Sequence, residues 1–253
     1  MTALALSLSF SNNFRRSIIY NVNDVNGLLA RYRADTSIWQ DSTRLLSATS
    51  DGDRVGAWDN MVGGSPLIQA ISLNRPTLKL NVQNSHPVIR FNGSSHFLQT
   101  VFAGVADTCF IFCVARMTVI GPSDRGICNI SNGLMANSGF SLYQSATAIS
   151  FRSKDASGNP IISNGDAKDD RFKIYCARCQ NGKIDLSINN DVVGSTSHVI
   201  PNPNVLTQLN VGCLLNNFYF LDDVGEVVIG NAFLSDSHRT DIFYLLNDYW
   251  RCF

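Results

Sequence analysis

Along most of its length the chain alternates apolar and polar residues in short runs separated by Asn, Gly, Pro and Asp, the pattern of half-buried strands joined by turns. After Pro66 the segments LIQAI, TLKLNV and HPVIRF are each short and β-like, and Asn92-Gly93 marks a tight reversal before HFLQTVF. The apolar run from Cys109 to Ile120 is long enough for a buried helix, but its Phe, Val and Ile content and the turn signal GPSDRG behind it favour a central strand. CNI, GFSLYQ and AISFRS extend the series, punctuated by Asn132-Gly133, Asn159-Pro160 and Asn164-Gly165. The clearest hairpin joins FKIYCARC to KIDLSI through Gln180, Asn181 and Gly182. In its first strand Phe172, Ile174, Cys176 and Arg178 share one face and Lys173, Tyr175 and Ala177 the other. Asn189-Asn190 makes the next reversal.

The remaining segments are less regular. Upstream, GLLARYRAD can turn Leu29, Tyr32 and Leu28 inward, whereas the Gly-rich stretch TSDGDRVGAWDNMVGGSP reads as a polar loop. Trp58 stands in that loop, either as a plug over a sandwich edge or as a binding platform. From Asp191 to Asn204 the chain is polar, and Pro201 with Pro203 predicts an irregular connection before LTQLNVGCLL, FYFL and GEVVIG return to β character. One helix is predicted after LSDS: Ser235 or Asp236 caps it, and Ile242, Leu245, Leu246 and Tyr249 recur at helical spacing. His238 lies near its start, where solvent or capping contacts explain it. The opening MTALALSLSF has neither a basic leader nor a small-residue cleavage site, so secretion by signal peptide is not expected, and it is too short to cross a bilayer. No linker interrupts the chain, which divides into an N-terminal arm or edge strand over 1–26 and one domain over 27–253. In the arm, Leu4, Leu6, Leu8 and Phe10 form a period-two apolar edge that pairs within the domain or with another subunit.

Composition supports this reading: apolar residues make up 45% and charged ones 16%, so solubility rests largely on neutral polar groups. Of the 20 acidic residues only Glu226 is Glu, and the shortage of Glu and Lys removes strong helix formers. Formal charge is zero and Arg15-Arg16 is the only adjacent basic pair, which argues against nucleic-acid binding. The 7 cysteines are an odd number. Cys176 and Cys179 form a C-x-x-C without two further zinc ligands or a strand-to-helix setting, so the thiols read as buried and the compartment of synthesis as reducing.

GLLARYRADTSIW with RVGAWDN, RPTLKLNVQNSHPVIRFNGSSHFL, FKIYCARCQNGKIDLSINN and VGEVVIGNAFLSDSHRTDIFYLLNDYW follow one another in an order that resembles the concanavalin A-like, laminin-G-like jelly-roll domains. The resemblance implies an all-β, two-sheet antiparallel jelly-roll sandwich with a short C-terminal α-helix. It also implies recognition of glycan or protein, or a part in capsid, tail or cell-surface assembly. The Asn-rich surface and the arm favour a virion protein that meets a glycan or host-surface component, with a structural capsid or tail decoration protein as the alternative. A homo-oligomer or other virion proteins are the expected partners. The expected localisation is the virion after synthesis in the host cytoplasm, or else the cytoplasm itself.

The chemistry follows from which groups are present. Retaining glycoside hydrolysis needs two carboxyl groups about 5 Å apart, and glycanases that the chain resembles carry alternating acids on one strand. Here the lone Glu226 lies in GEVVIG, so glycan cleavage is the less favoured reading. HExxH, P-loop and G-x-S-x-G signatures are missing from the sequence, and His86, His96, His198 and His238 share no ligand spacing. Calcium is the ion such a fold can accept in its rim loops: Asp51, Asp53 and Asp59 form one oxygen-rich set, and Asn217, Asp222 and Asp223 another, with turn formation as the competing role. For a glycan, Trp39, Trp58, Tyr143 and Tyr219 can cover sugar C–H faces while Asn217 and Asp222 read hydroxyls, each ring also being a candidate for simple packing.

Overall fold

The structure is a computed structural model and describes residues 21–105, 108–118, 124–131, 139–145, 148–154, 161–163, 169–197, 206–214 and 217–253. The expected apolar edge of Leu4, Leu6, Leu8 and Phe10 lies outside these residues, as do His198, Pro201, Pro203 and the expected turns at Asn132, Asn159 and Asn164.

The described strands in chain order are β1 (Leu28–Arg33), β2 (Ile38–Trp39), β3 (Ala57–Trp58), β4 (Leu67–Ile68), β5 (Thr77–Gln83), β6 (His86–Asn92), β7 (Leu98–Val105), β8 (Cys109–Met117), β9 (Arg125–Ser131) and β10 (Gly139–Gln144). They continue as β11 (Ile149–Lys154), β12 (Ile161–Ser163), β13 (Asp169–Gln180), β14 (Lys183–Ile188), β15 (Asp191–Ser197), β16 (Leu206–Val211), β17 (Cys213–Leu214), β18 (Phe218–Tyr219) and β19 (Leu221–Gly230), followed by helix α1 (Asp236–Trp250). An eight-stranded sheet runs β15-β14-β13-β8-β19-β6-β5, with β1 also on β19. An eleven-stranded sheet runs β12-β11-β10-β9-β16-β7-β4-β3-β2, with the β17–β18 hairpin beside β9. Among the described strands every pairing is antiparallel except the single step Tyr219 to Gly126.

Two apolar layers result. The larger lies between the sheets and joins Tyr32, Trp58, Phe91, Ile111, Tyr175 and Phe220 to Leu98, Ile130, Phe140, Phe151 and Leu209. The smaller lies between the outer face of the eight-stranded sheet and α1, where Phe110, Phe112, Ile174 and Cys176 meet Ile242, Phe243, Leu246 and Trp250. The predicted hairpin shows both: Phe172, Ile174 and Cys176 face the helix, and Tyr175, Ala177 and Cys179 face the other sheet. Its turn uses Asn181 at φ 51° and Gly182 at φ 66°, the left-handed pair that a two-residue hairpin loop requires. Cys176 and Cys179 therefore point to opposite faces of one strand, an arrangement that cannot close on one ion.

Helix α1 begins where the sequence places it. The Ser235 side chain accepts the His238 backbone N–H, and Arg251 ends the helix at φ 53°. Ile242 and Leu246 are buried, whereas Leu245 and Tyr249 sit half-buried at the flank. Trp250 lies so close over Gly225 that a Cβ there would fall 2.8 Å from the indole, so only glycine lets the helix end settle on β19.

Several expectations are corrected. Trp58 is not in a loop over the edge: it lies on β3, is fully buried, donates its indole N–H to Arg33 O at 2.9 Å, and sits with its ring 5.8 Å from that of Tyr32. In β1 the expected Tyr32 is buried, joined by Ala30 and Arg31, while Leu29 and Leu28 are half-buried and pack against the two apolar layers. The polar stretch after Asn190 is not wholly irregular, because β15 pairs with β14 as an edge strand whose residues are mostly exposed. An edge strand open to solvent needs no apolar alternation, so the hydrophobic pattern misses it. Among the described residues no helix is long and apolar enough to cross a membrane.

Candidate functional site

The outer face of the eleven-stranded sheet differs from the other layers in being polar. β7, β16, β9, β10 and β11 turn Leu98, Leu209, Ile130, Phe140 and Phe151 inward. By strand alternation their neighbours turn outward. The register then places Gln99, Asn210, Asn129, Ser141 and Arg152 in one straight cross-strand row. At about 4.8 Å between strands this row runs for roughly 19 Å. Ser141 donates to Asn129 Oδ1 at 2.7 Å, and the Gln208 amide donates to Gln99 Oε1 at 3.1 Å and Asn210 Oδ1 at 3.0 Å. Asn129, Ser141 and Asn210 are buried, so these bonds fix the orientation of the two glutamines nearer the surface, Gln99 being exposed and Gln208 half-buried.

Those glutamines floor an open groove of about 760 Å³ beside β4, β7 and β16. It is also lined by Pro66, Ile68, Ala70 and Ile71, and by Phe97 and Val101. Ile71 is 59% and Val101 78% exposed, so apolar surface is left in water around a polar floor. The walls are held from beneath. Buried Gln69 donates to Phe97 O at 3.2 Å and accepts the Ile71 N–H at 3.0 Å, while Arg75 donates to the carbonyls of Gln69 and Ala70. The loop leading to Phe97 is wound around Asn92, whose Oδ1 accepts the backbone N–H groups of Ser94, Ser95 and His96. A rigid groove with an apolar rim and oriented amides can cover the C–H face of a sugar ring and bond its hydroxyls.

His96 ends that loop, buried, with Nε2 3.3 Å from the Arg54 guanidinium. Burial first, and the Arg54 charge second, hold its pKa below the usual 6.5. The unfolded chain therefore binds a proton that the folded chain resists, so stability is full above pH 6.5 and falls as pH drops through that value toward the lowered one. Thermal melts from neutral to mildly acidic pH should fall in this window for the native chain, and His96→Gln should flatten the decline. An unchanged slope in the variant would contradict the assignment. A separate decline is expected below the ordinary 3.8 of Asp35, Asp51 and Asp236, whose pKa values are lowered.

The residues singled out from sequence fall in different places. Trp58 is core and presents no face to a ligand. Tyr143 is on the polar sheet but only 3% exposed, with the Arg152 guanidinium 5.3 Å from its ring centre. Tyr219 is half-buried, its ring 6.1 Å from that of Phe97 behind the groove wall, and Asn217 is exposed at the turn before it. Trp39 lies apart, in a hollow of about 470 Å³, and donates to Asp59 Oδ2 at 2.9 Å. Asp222 is buried and accepts the backbone N–H and hydroxyl of Thr118, which corrects its expected place on an open rim.

The carboxylates proposed for calcium are turned toward proton donors. Asp51 takes Lys79 and the Leu80 N–H, Asp53 the N–H groups of Thr49 and Ser50, and Asp59 the side chains of Trp39 and Arg44. Asp223, fully buried, pairs with Arg90 and Arg116. Among the described residues no group of three His, Cys, Asp or Glu side chains could hold a metal ion. Glu226 is bonded by Arg31 and Trp250 in the interior. The groove floor itself was not singled out from sequence. Its signal is the placement of Gln99, Gln208 and Asn210 on the parity opposite to Leu98, Phe102, Leu209 and Val211.

Neither a protein-family model nor a curated protein sequence matches the chain. Solved structures do. A botulinum neurotoxin serotype D ligand-binding domain in complex with N-acetylneuraminic acid superposes with TM-score 0.58 at 9% identity, over 86% of this chain and 50% of that one. The receptor-binding domain of botulinum neurotoxin D gives 0.59 at 10% identity, over 89% and 54%. The CBM40 of a Ruminococcus gnavus sialidase, bound to α2,3-sialyllactose, gives 0.50 at 10% identity, over 65% and 99%. The chain thus spans about half the length of the toxin domains, and at these identities what is shared is the β-sandwich fold.

Proposed function

We propose that this chain is a non-catalytic glycan-recognition module of the concanavalin A-like, laminin-G-like kind, displayed on a virion surface or tail, with the groove over Gln99 and Gln208 as its sugar site. The observation that carries the reading is the pairing of an exposed apolar rim, Ile71 and Val101, with an amide floor fixed by Asn210. With both Gln208 N–H groups committed, its carbonyl oxygen and the Gln99 amide nitrogen are the groups that meet sugar hydroxyls. The ligands bound to the similar solved domains, N-acetylneuraminic acid and sialyllactose, support a glycan as occupant. Only Glu226 could follow the usual Glu chemistry of related glycanases, and its engagement with Arg31 and Trp250 favours binding over cleavage. The alternating Leu4, Leu6, Leu8 and Phe10 suit strand pairing with other virion subunits.

Calorimetric titration with lactose and sialyllactose tests the site. Removing two neutral hydrogen-bonding side chains together, Gln99→Ala with Gln208→Ala, should weaken binding about tenfold or more while lowering the melt only modestly, by the lost bond to Asn210. Retained affinity in the folded double variant would move the site elsewhere, and failure of the native chain to bind any of a broad glycan array would overturn the reading.

A further inference from the structure

Cys109 and Cys179 are direct partners in the antiparallel register of β8 and β13. Both side chains enter the core between the sheets, 1% and 2% exposed. Directly opposed residues on antiparallel strands point to the same face with Cα atoms about 4.5 or 5.5 Å apart, inside the roughly 4.4–6.8 Å that a disulfide spans. Among the described residues no other cysteines oppose each other. Cys113 faces Tyr175 and Cys176 faces Phe112 on β8 and β13, Cys128 and Cys213 belong to the other sheet, and Cys252 follows the helix.

We propose that Cys109 and Cys179 form a latent cross-link site: a disulfide that closes while the chain folds in the presence of a small-molecule disulfide, and that then staples β8 to β13. One cysteine thiolate attacks a sulfur of the oxidant, forming a mixed disulfide and releasing one small thiol. The second cysteine attacks the protein sulfur of that bond, releasing the second small thiol. The two protein thiols are oxidised, the oxidant's bond is reduced, and the two thiol protons end on the released small thiols.

The position explains when this happens. Cys109 opens β8 and Cys179 lies one residue from the end of β13, beside the Asn181-Gly182 turn, so the two thiols are reachable only before the second sheet closes over them. Once folded, the reduced pair is shut between the sheets, and burial holds the Cys109 thiol well above its ordinary range, so thiolate and access are both lacking. Exchange belongs to the folding chain and not to the finished domain.

The test refolds the fully reduced whole chain from denaturant with oxidised and reduced glutathione, and in parallel exposes the folded reduced chain to the same mixture. The refolded product should lose two hydrogens in mass, give a linked peptide joining Cys109 to Cys179, and unfold at a higher temperature because the bond closes a long loop. In the already folded chain Cys109 and Cys179 should stay reduced over the same time, whatever happens at half-buried Cys252, and Cys109→Ala and Cys179→Ala should each abolish the link. Retention of every thiol on refolding, or a link through other cysteines such as Cys176 with Cys179, would overturn the proposal. The map of the native sequence decides this even if a variant fails to fold.

Discussion

Glu226→Ala is expected to destabilise the domain by about 3–5 kcal/mol, the cost of leaving a buried charge without its partner. The Glu226 carboxylate is wholly buried, receives Arg31 Nε at 2.6 Å and the Trp250 indole N–H at 2.7 Å, and lies on β19 between β1 and the end of α1. Removing it strands the Arg31 guanidinium, which is 9% exposed and keeps only its bond to Asn23 among those described. Glu226→Gln retains an acceptor for Trp250 but not the charge, and should lose stability in the same direction by less. Chemical denaturation of the three proteins checks this. A loss below about 1 kcal/mol for the alanine variant, the scale of an exposed pair, would mean that the pair is far wetter than its geometry implies.

Arg178→Ala should cost a comparable amount, about 3–5 kcal/mol, at the other end of the helix. Arg178 bonds Asp185 through two contacts of 2.9 Å, donates to Leu234 O at 2.8 Å and reaches Asp236 at 2.7 Å. Its side chain and that of Asp185 are 5% and 7% exposed, so the substitution leaves a carboxylate in the interior. Asp236 is 81% exposed and adds little by itself. The mechanism has its own check: Arg178→Met with Asp185→Leu removes both charges and should recover much of the loss that Arg178→Met alone produces. If the double variant is no more stable than the single, the cost lies in the lost anchoring of Leu234 and not in an orphaned charge.

These two networks mark where sequence reading stops. The turn at Asn181-Gly182, the two faces of β13 and the Ser235 cap are local, set by residues within a few positions of one another, and so they were legible. Glu226 stands out in the sequence as the lone Glu, but its partners Arg31 and Trp250 are 195 and 24 residues away, and no spacing announces them. Trp58 was misplaced because two-residue strands such as β3 are too short for alternation to show, and an indole among glycines looks like loop. The groove was missed for a related reason. Gln99, Gln208 and Gln69 carry no motif, because their importance lies in bonds between segments far apart in sequence. What the sequence shows is Gln208 and Asn210 alternating with Leu209 and Val211 on β16 and Gln99 after Leu98 on β7, a weak signal until register aligns them.

The most direct test of glycan recognition at this groove is backbone amide chemical-shift mapping of the isotope-labelled whole chain during titration with sialyllactose. Saturable shifts are expected at Gln69, Ile71, Phe97, Gln99, Val101 and Gln208, with the α1 face unmoved. Saturable shifts confined to another surface, or none at millimolar sugar, would contradict it.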